Sequence, residues 1–238
     1  MTGRPLLVAI DGPSGAGKST VARELAARLH VPYIDTGAMY RAVGLAARDA
    51  GLTLPIEDPA RVVAIAEEGR VDLEPSGTGL RVRWNGRDVT EAIREPAVSL
   101  YASAVSAISG VRRRLVEEQR RLGRERGGVL EGRDIATRVF PDAPHRFFLT
   151  ADLPVRARRR CRELEDRGTP RPYEEVLSEM ARRDEDDSRR ADSPLTLDDR
   201  YTLVDSTDLD ADGVVSRIEG LVRKGEKDGN LTPTGGPP

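Results

Sequence analysis

An apolar run, LLVAI at residues 6–10, leads into GPSGAGKST at residues 12–20, and a helical pattern begins within that loop. Few folds accommodate a strand, a glycine-rich turn and a helix with almost nothing between them. Glycine lets the backbone close tightly on a small guest, and the N–H groups at the start of a helix point into the space so formed. The guest that suits such a space is an anion. Gly12, Gly17, Lys18 and Ser19 satisfy the spacing G-x-x-x-x-G-K-[ST], in the strand-to-helix context that the spacing requires. A glycine turn of purely structural use would not need all four positions and both flanking elements.

The segment is therefore read as a P-loop for the phosphates of a nucleotide. Its positions are Gly12, Pro13, Ser14, Gly15, Ala16, Gly17, Lys18, Ser19 and Thr20, which become the ATP-binding set under the resemblance drawn below. Lys18 is placed to bridge the β- and γ-phosphates, and the Ser19 hydroxyl to ligate Mg²⁺. Further apolar runs at 31–35, 128–131, 146–150 and 201–205 predict strands. Helical patterns at 18–29, 37–50, 111–125, 154–167, 172–189 and 211–223 alternate with them. That alternation predicts an α/β protein of the P-loop NTPase type, a five-stranded parallel sheet flanked by helices. Residues 70–90 break the rhythm: polar and apolar residues alternate around Asn85-Gly86, a strong hairpin signal, so a small antiparallel insertion is expected. The final KGEKDGNLTPTGGPP has no apolar anchor and is expected to be disordered.

Composition narrows the partners. Of 238 residues, 33% are charged and 38% hydrophobic, and no apolar run reaches the roughly 20 residues that span a bilayer. MTGRP lacks a signal-peptide core, so a cytoplasmic protein without a membrane partner is expected. A net charge of −2, 4% aromatic residues and acids interleaved with the arginines argue against a nucleic-acid partner. Two histidines and one cysteine exclude a metal centre built of those residues. Cys161, in RRRCREL, is expected to be an inert thiol. Lysine occurs only at positions 18, 224 and 227, so a lysine inside the glycine loop calls for a chemical reason.

The loop alone leaves switches, motors, synthetases and kinases open. Three further clusters bear on what receives the phosphate. IDTGAMYRA, residues 34–42, reads either as an ordinary capped helix or as a grip for a second phosphate made of Thr36, a helix start and Arg41. EGRDIATRVFPDA, residues 131–143, follows the third strand, and ligands of open parallel sheets bind beyond the carboxyl ends of strands. Arg133 and Asp134 stand there, with a surface salt bridge as the duller alternative. RRDEDDSRRADSPL, residues 182–195, reads by itself as a solvated helix face with i,i+4 pairs.

Together the clusters resemble the bacterial cytidylate kinase family of nucleoside monophosphate kinases. IDGPSGAGKST, DTGAMYRA, NGRDVTEAIR, EGRDI, VFPDA and the pattern Arg183-Asp184, Asp187-Ser188, Arg190, Pro194-Leu195 agree with it in order and spacing, from about residue 6 to 222. The resemblance implies transfer of the γ-phosphoryl of MgATP to CMP or dCMP, giving ADP and CDP or dCDP. It implies one domain over 1–225, with a core at about 5–35, 111–153 and 171–223. An acceptor lobe at about 36–110 carries the hairpin, a short lid covers about 154–170, and the tail is 226–238. Arg41, Arg133 and Arg190 are similar to ligands of the CMP phosphate. Ser103, Arg112 and Asp134 are similar to the cytosine readers, with Thr36 and Tyr40 lining that pocket and Arg183 and Asp187 at the ribose. Lys18, Arg133, Arg183 and Arg190 are the implied catalytic set. Arg158 to Arg160 fall where lid arginines approach ATP, with no choice among them, and Arg158 stands for the group in the ATP-binding set. A monomer is expected.

The chemistry agrees with that assignment. Cytosine offers an N4 amine beside two acceptors, and a carboxylate can accept from N4 while Arg112 and Ser103 donate. Uracil presents O4 instead, leaving a buried carboxylate facing an oxygen at a cost of roughly 1–3 kcal/mol. A phosphate monoester is mostly dianionic at neutral pH and attacks without a general base, so the site needs charge and alignment rather than a histidine. One departure concerns GRDI, which the family continues with Gly-Thr and this chain with Ala136-Thr137; an alanine resists positive φ, so the turn after Asp134 is expected to differ. The rivals are a kinase for another monophosphate, a hydrolysing switch or motor, and an arginine-rich RNA binder. The first lacks the long insertion and EGRDI. The second needs a water-orienting residue and, for GTPases, N-K-x-D. The third needs stacking aromatics.

Overall fold

The computed structural model describes residues 5–76, 79–190 and 192–227. The chain runs through β1 (Leu7–Asp11), α1 (Lys18–Leu29), β2 (Tyr33–Asp35), α2 (Thr36–Asp49) and α3 (Pro59–Glu68). Then come β3 (Val71–Ser76), β4 (Gly79–Trp84), β5 (Arg87–Asp88), α4 (Pro96–Ser106) and α5 (Ser109–Arg126). It closes with β6 (Gly128–Gly132), β7 (His145–Thr150), α6 (Leu153–Asp166), α7 (Tyr173–Arg189), β8 (Thr202–Asp205) and α8 (Ala211–Lys227). Five strands form one sheet in the order β2-β6-β1-β7-β8, and every pairing in it is parallel.

Strand periodicity divides the core. Along β1, Val8 and Ile10 point to one face and pack with Val21 and Leu25 of α1 and Val215 and Ile218 of α8. Leu7 and Ala9 point to the other, against Val116 and Leu122 of α5. Both faces are covered, as a parallel sheet requires, and all five β1 residues are buried. The register sets Ile10 opposite Glu131 and Asp35 opposite the same Glu131. The carboxyl ends of β1, β2 and β6 thus finish at one level, beneath the glycine loop.

The inserted segment holds more helix than the sequence suggested. Residues 59–68 and 96–106 are helical, and each helix opens on a proline, which suits a first turn. Asp58 caps the earlier one, accepting from Arg61 N–H at 3.0 Å. The later one packs tightly on α2 because Gly44 has no side chain; a Cβ there would lie 2.8 Å from the Ala102 nitrogen. Asn85-Gly86 is the two-residue turn expected, with φ of 49° and 81°. It joins β4 to the short β5, whereas the longer arm of the small sheet is β3 with β4. Residues 224–227, read as the start of the disordered tail, instead complete α8, where Glu226 hydrogen-bonds His145 Nε2 at 3.2 Å. Residues 228–238 lie outside the described residues. Among the described residues, no helix is long and apolar enough to cross a membrane.

Candidate active site

The glycine loop and the acceptor residues line one cleft of about 970 Å³. Its floor is the carboxyl end of the sheet. At one end Ser14 to Thr20 line it; Gly12 and Pro13 lie just behind. Gly12 has φ 149°, and a Cβ on it would meet the Leu149 carbonyl oxygen at 2.0 Å, so only glycine lets β1 turn here. Lys18 folds back over its own loop and donates to the Pro13 carbonyl at 2.7 Å. Burial, then the nearby Arg133, push its ammonium down to about 7.

That depression has a measurable consequence. Anionic phosphate oxygens around the Lys18 nitrogen restore its charge. Calorimetric titration with ATP at pH 8, in buffers of different ionisation enthalpy, is expected to show uptake of about 0.5–1 proton, and Lys18→Met should abolish it. Equal uptake in both proteins would place the proton elsewhere.

Beside Lys18 stand two acids that sequence reasoning passed over. Glu131 is 5% exposed and accepts from the Tyr33 hydroxyl at 2.7 Å. Burial, followed by the charge of Asp35, raises its pKa, while Lys18 and the Ser19 hydroxyl act the other way. Burial likewise raises the Tyr33 phenol. Two carboxylates pressed together beside a serine hydroxyl form an all-oxygen donor set that a hard divalent cation would relieve, so the residues present fit Mg²⁺. No group of three or more His, Cys, Asp or Glu is gathered to hold a metal among the described residues.

Asp35 has a second task. Its Oδ1 caps α2 through Ala38 N–H at 2.8 Å, and its Oδ2 accepts from Arg41 at 3.0 Å. Thr36 donates to the Glu131 carbonyl at 2.6 Å. DTGAMYRA is thus both the capped helix and the holder of a cleft-lining arginine.

Residues 182–195 depart from the solvated-face reading. Asp187 is 1% exposed. Its Oδ2 accepts from Arg133 Nε at 2.8 Å, and its Oδ1 pairs with Arg190. Burial opposes ionisation, but Arg133 and Arg190 outweigh it and hold this carboxyl below the usual range. Arg183, in the same cleft, is pushed down to about 10 by burial and by Arg133, and its Nε has no hydrogen-bond partner among the described residues. Asp187, expected at the ribose, therefore gives both oxygens to arginines. Three guanidiniums around one carboxylate leave an excess of positive charge facing the cleft, as a phosphate site requires.

At the far end Arg112 pairs with Asp134, both nearly fully buried. Arg112 also donates to the Ser106 carbonyl at 3.1 Å and lies over the Tyr40 ring, 5.5 Å from its centroid. Ser103 lines the cleft beside them. Ala136 is not among the non-glycine residues of positive φ, so the turn after Asp134 accommodates alanine without strain.

The lid arginines separate. Arg158 does not line the cleft, and its guanidinium lies 6.0 Å from the Tyr173 ring centroid. Arg159 and Arg160 do line it, and Arg159 donates to the Ser206 hydroxyl at 3.0 Å and carbonyl at 2.5 Å. Arg156, also passed over, binds the Ser14 carbonyl at 3.0 Å and Asp184 at 2.7 Å, tying the base of α6 to the glycine loop and to α7.

A P-loop at the carboxyl end of a five-stranded parallel sheet, facing an arginine cluster across one cleft, is the arrangement of a P-loop phosphotransferase. The model of the family described as cytidylate kinase matches residues 8–224. The cytidylate kinase of Caldanaerobacter subterraneus subsp. tengcongensis is 48% identical over 220 residues, 92% of this chain and 96% of that protein. That of Geobacter sulfurreducens is 47% identical over 94% of this chain and 95% of its own. A bifunctional pantoate ligase/cytidylate kinase of a Synechococcus species is 44% identical over 93% of this chain, which covers 41% of that longer protein. This chain belongs to the cytidylate kinase family.

Proposed function

We propose that this protein transfers the γ-phosphoryl group of ATP to CMP or dCMP, giving ADP and CDP or dCDP. The observation that carries the reading is the buried Arg112–Asp134 pair, set in the same cleft as Lys18. The glycine-loop amides and Lys18 hold the donor phosphates. Arg41, Arg133 and Arg190 take the acceptor phosphate, with Arg183 between the two anions. Asp134 accepts from the cytosine amine, while Arg112 and Ser103 donate to its acceptor atoms, against the wall formed by Tyr40 and Thr36. Ser19, with Glu131 and Asp35 behind it, would hold Mg²⁺, which would supply charge neutralisation at the donor triphosphate.

The acceptor arrives as a dianion and needs no base. What the chain contributes is alignment and positive charge where the transferred group passes. Residues 36–110 serve as the acceptor lobe and 154–170 as the lid. Closure of this lid, whose α6 packs on α7 through a small apolar cluster including Leu164, Val176 and Met180, keeps water from the transferred group.

ADP release should be measured with CMP, dCMP, UMP, AMP and GMP side by side, each against a no-acceptor control. Fast turnover with CMP and dCMP is expected, with UMP at least about fivefold poorer in kcat/KM from its mismatch at Asp134. ADP release independent of acceptor would replace the kinase reading with a hydrolase.

A further inference from the structure

Asp11 ends β1, one residue before the glycine loop, and is fully buried without lining the cleft. The proposed reaction gives it nothing to do. Its carboxylate nevertheless accepts three hydrogen bonds, which join three separate segments. Oδ1 takes the Ile135 N–H at 2.9 Å; Oδ2 takes the Ala136 N–H at 2.8 Å and the Tyr201 hydroxyl at 2.8 Å. Ile135 and Ala136 directly follow Asp134 and begin the wide helical turn Ile135–Val139. Within that turn the Asp134 carbonyl accepts from Arg138 N–H at 2.8 Å and Val139 N–H at 3.1 Å. Asp134 is thus pinned on one side by its own turn and on the other by Asp11.

We infer that Asp11 is a positioning residue for base selection: it orients the turn that aims Asp134 at the acceptor base, and Tyr201 in turn orients Asp11. The inference rests on Asp134 being the group that faces the cytosine amine. Two consecutive amide N–H groups and a hydroxyl ask for acceptors on both sides of one small side chain. Among the short side chains only a carboxylate offers them; asparagine would present an NH₂ to one of the donors. The carboxylate is kept there despite its electrostatic cost, for burial pushes the Asp11 carboxyl up to about 6 and the charge of Asp134 adds to that, against the three donors. The arrangement also explains why alanine serves at position 136: its contribution is the N–H, which any residue but proline supplies.

The test compares steady-state kinetics of Asp11→Asn and Tyr201→Phe with the unaltered enzyme, using ATP with CMP and with UMP, alongside thermal denaturation. Asp11→Asn is expected to raise KM for CMP about tenfold and to lower the CMP-to-UMP ratio of kcat/KM by a similar factor, since one buried donor is left facing another. KM for ATP should change less than about twofold. Tyr201→Phe, which keeps the ring against Phe148, should lower the same ratio by about two- to fourfold. A merely structural role would lower the melting temperature of both variants and leave the ratio unmoved, which overturns the inference, as does a parallel rise of both KM values. If Asp11→Asn fails to fold, the ratio for Tyr201→Phe decides alone. The underlying reading fails separately: an unaltered enzyme indifferent between CMP and UMP, or an Asp134→Asn variant with an unchanged ratio, removes Asp134 from base selection and this inference with it.

Discussion

Lys18→Met is expected to lower kcat by about 10²–10³-fold, the range found when one preorganised donor to a transition-state charge is removed, and to leave the protein at least as stable as before. The two effects diverge for one physical reason. Lys18 sits buried with arginines close by, and its ammonium is pushed down to about 7 from an ordinary 10.5. In that window the unfolded chain binds a proton that the folded one does not, so the lysine's contribution to stability rises from pH 7 to 10.5. Below pH 7 both states are charged and the folded state carries the full penalty. Methionine keeps much of the shape and removes the charge. The stability advantage of the variant should therefore be largest at pH 6 and shrink as pH rises through 9. Denaturant titrations at the two pH values, with single-turnover kinetics, measure both parts. A variant less stable at pH 6 than the unaltered protein would contradict this account of the buried ammonium.

The second large effect is expected at Asp187, where alanine would leave Arg133 and Arg190 buried without their common partner. Breaking a buried ion pair from one side costs about 3–5 kcal/mol, and here one carboxylate serves two guanidiniums. Asp187→Ala should lower kcat/KM for CMP by about 10²–10³-fold and depress the melting temperature. Because the Asp187 pKa lies below its ordinary 3.8, its contribution is complete above that value and lost on acidification below it. The stability gap from the unaltered protein should thus stay flat between pH 5 and 8. A phosphate dianion partly replaces the missing charge, so CMP should raise the melting temperature of the variant more than that of the unaltered protein. An equal rise in both would mean that Asp187 does not order the phosphate site.

Legibility along the chain followed how local the physics was. The glycine loop was plain because Gly12, Gly17, Lys18 and Ser19 act over eight consecutive residues and need only a strand before and a helix after. The sheet strands were plain because apolar runs bounded by turns belong to strands buried on both faces. Helix α4 was missed since PAVSLYASAVS has no clean polar face: one side packs on α2 and the other lines the cleft. Glu131 was quoted inside EGRD without a role, because its partners Tyr33, Asp35 and Ser19 lie far away in sequence. One available signal was its position as an acid ending a fully apolar strand beside the glycine loop. Three adjacent arginines give the sequence no means of choosing among Arg158 to Arg160; a helix turns 100° per residue, and of the three only Arg159 and Arg160 line the cleft.

The amino-acid sequence by itself determined the class of fold, the donor loop and the family, for these rest on periodicity and on short motifs whose residues touch one another locally. The tertiary structure alone decided which charges meet. It put Asp187 between Arg133 and Arg190, joined Arg112 to Asp134, and brought Asp11 from the first strand to the turn that follows Asp134. Hydrogen bonds act over about 3 Å, and groups 124 residues apart in the chain reach that distance only when parallel strands end at one level.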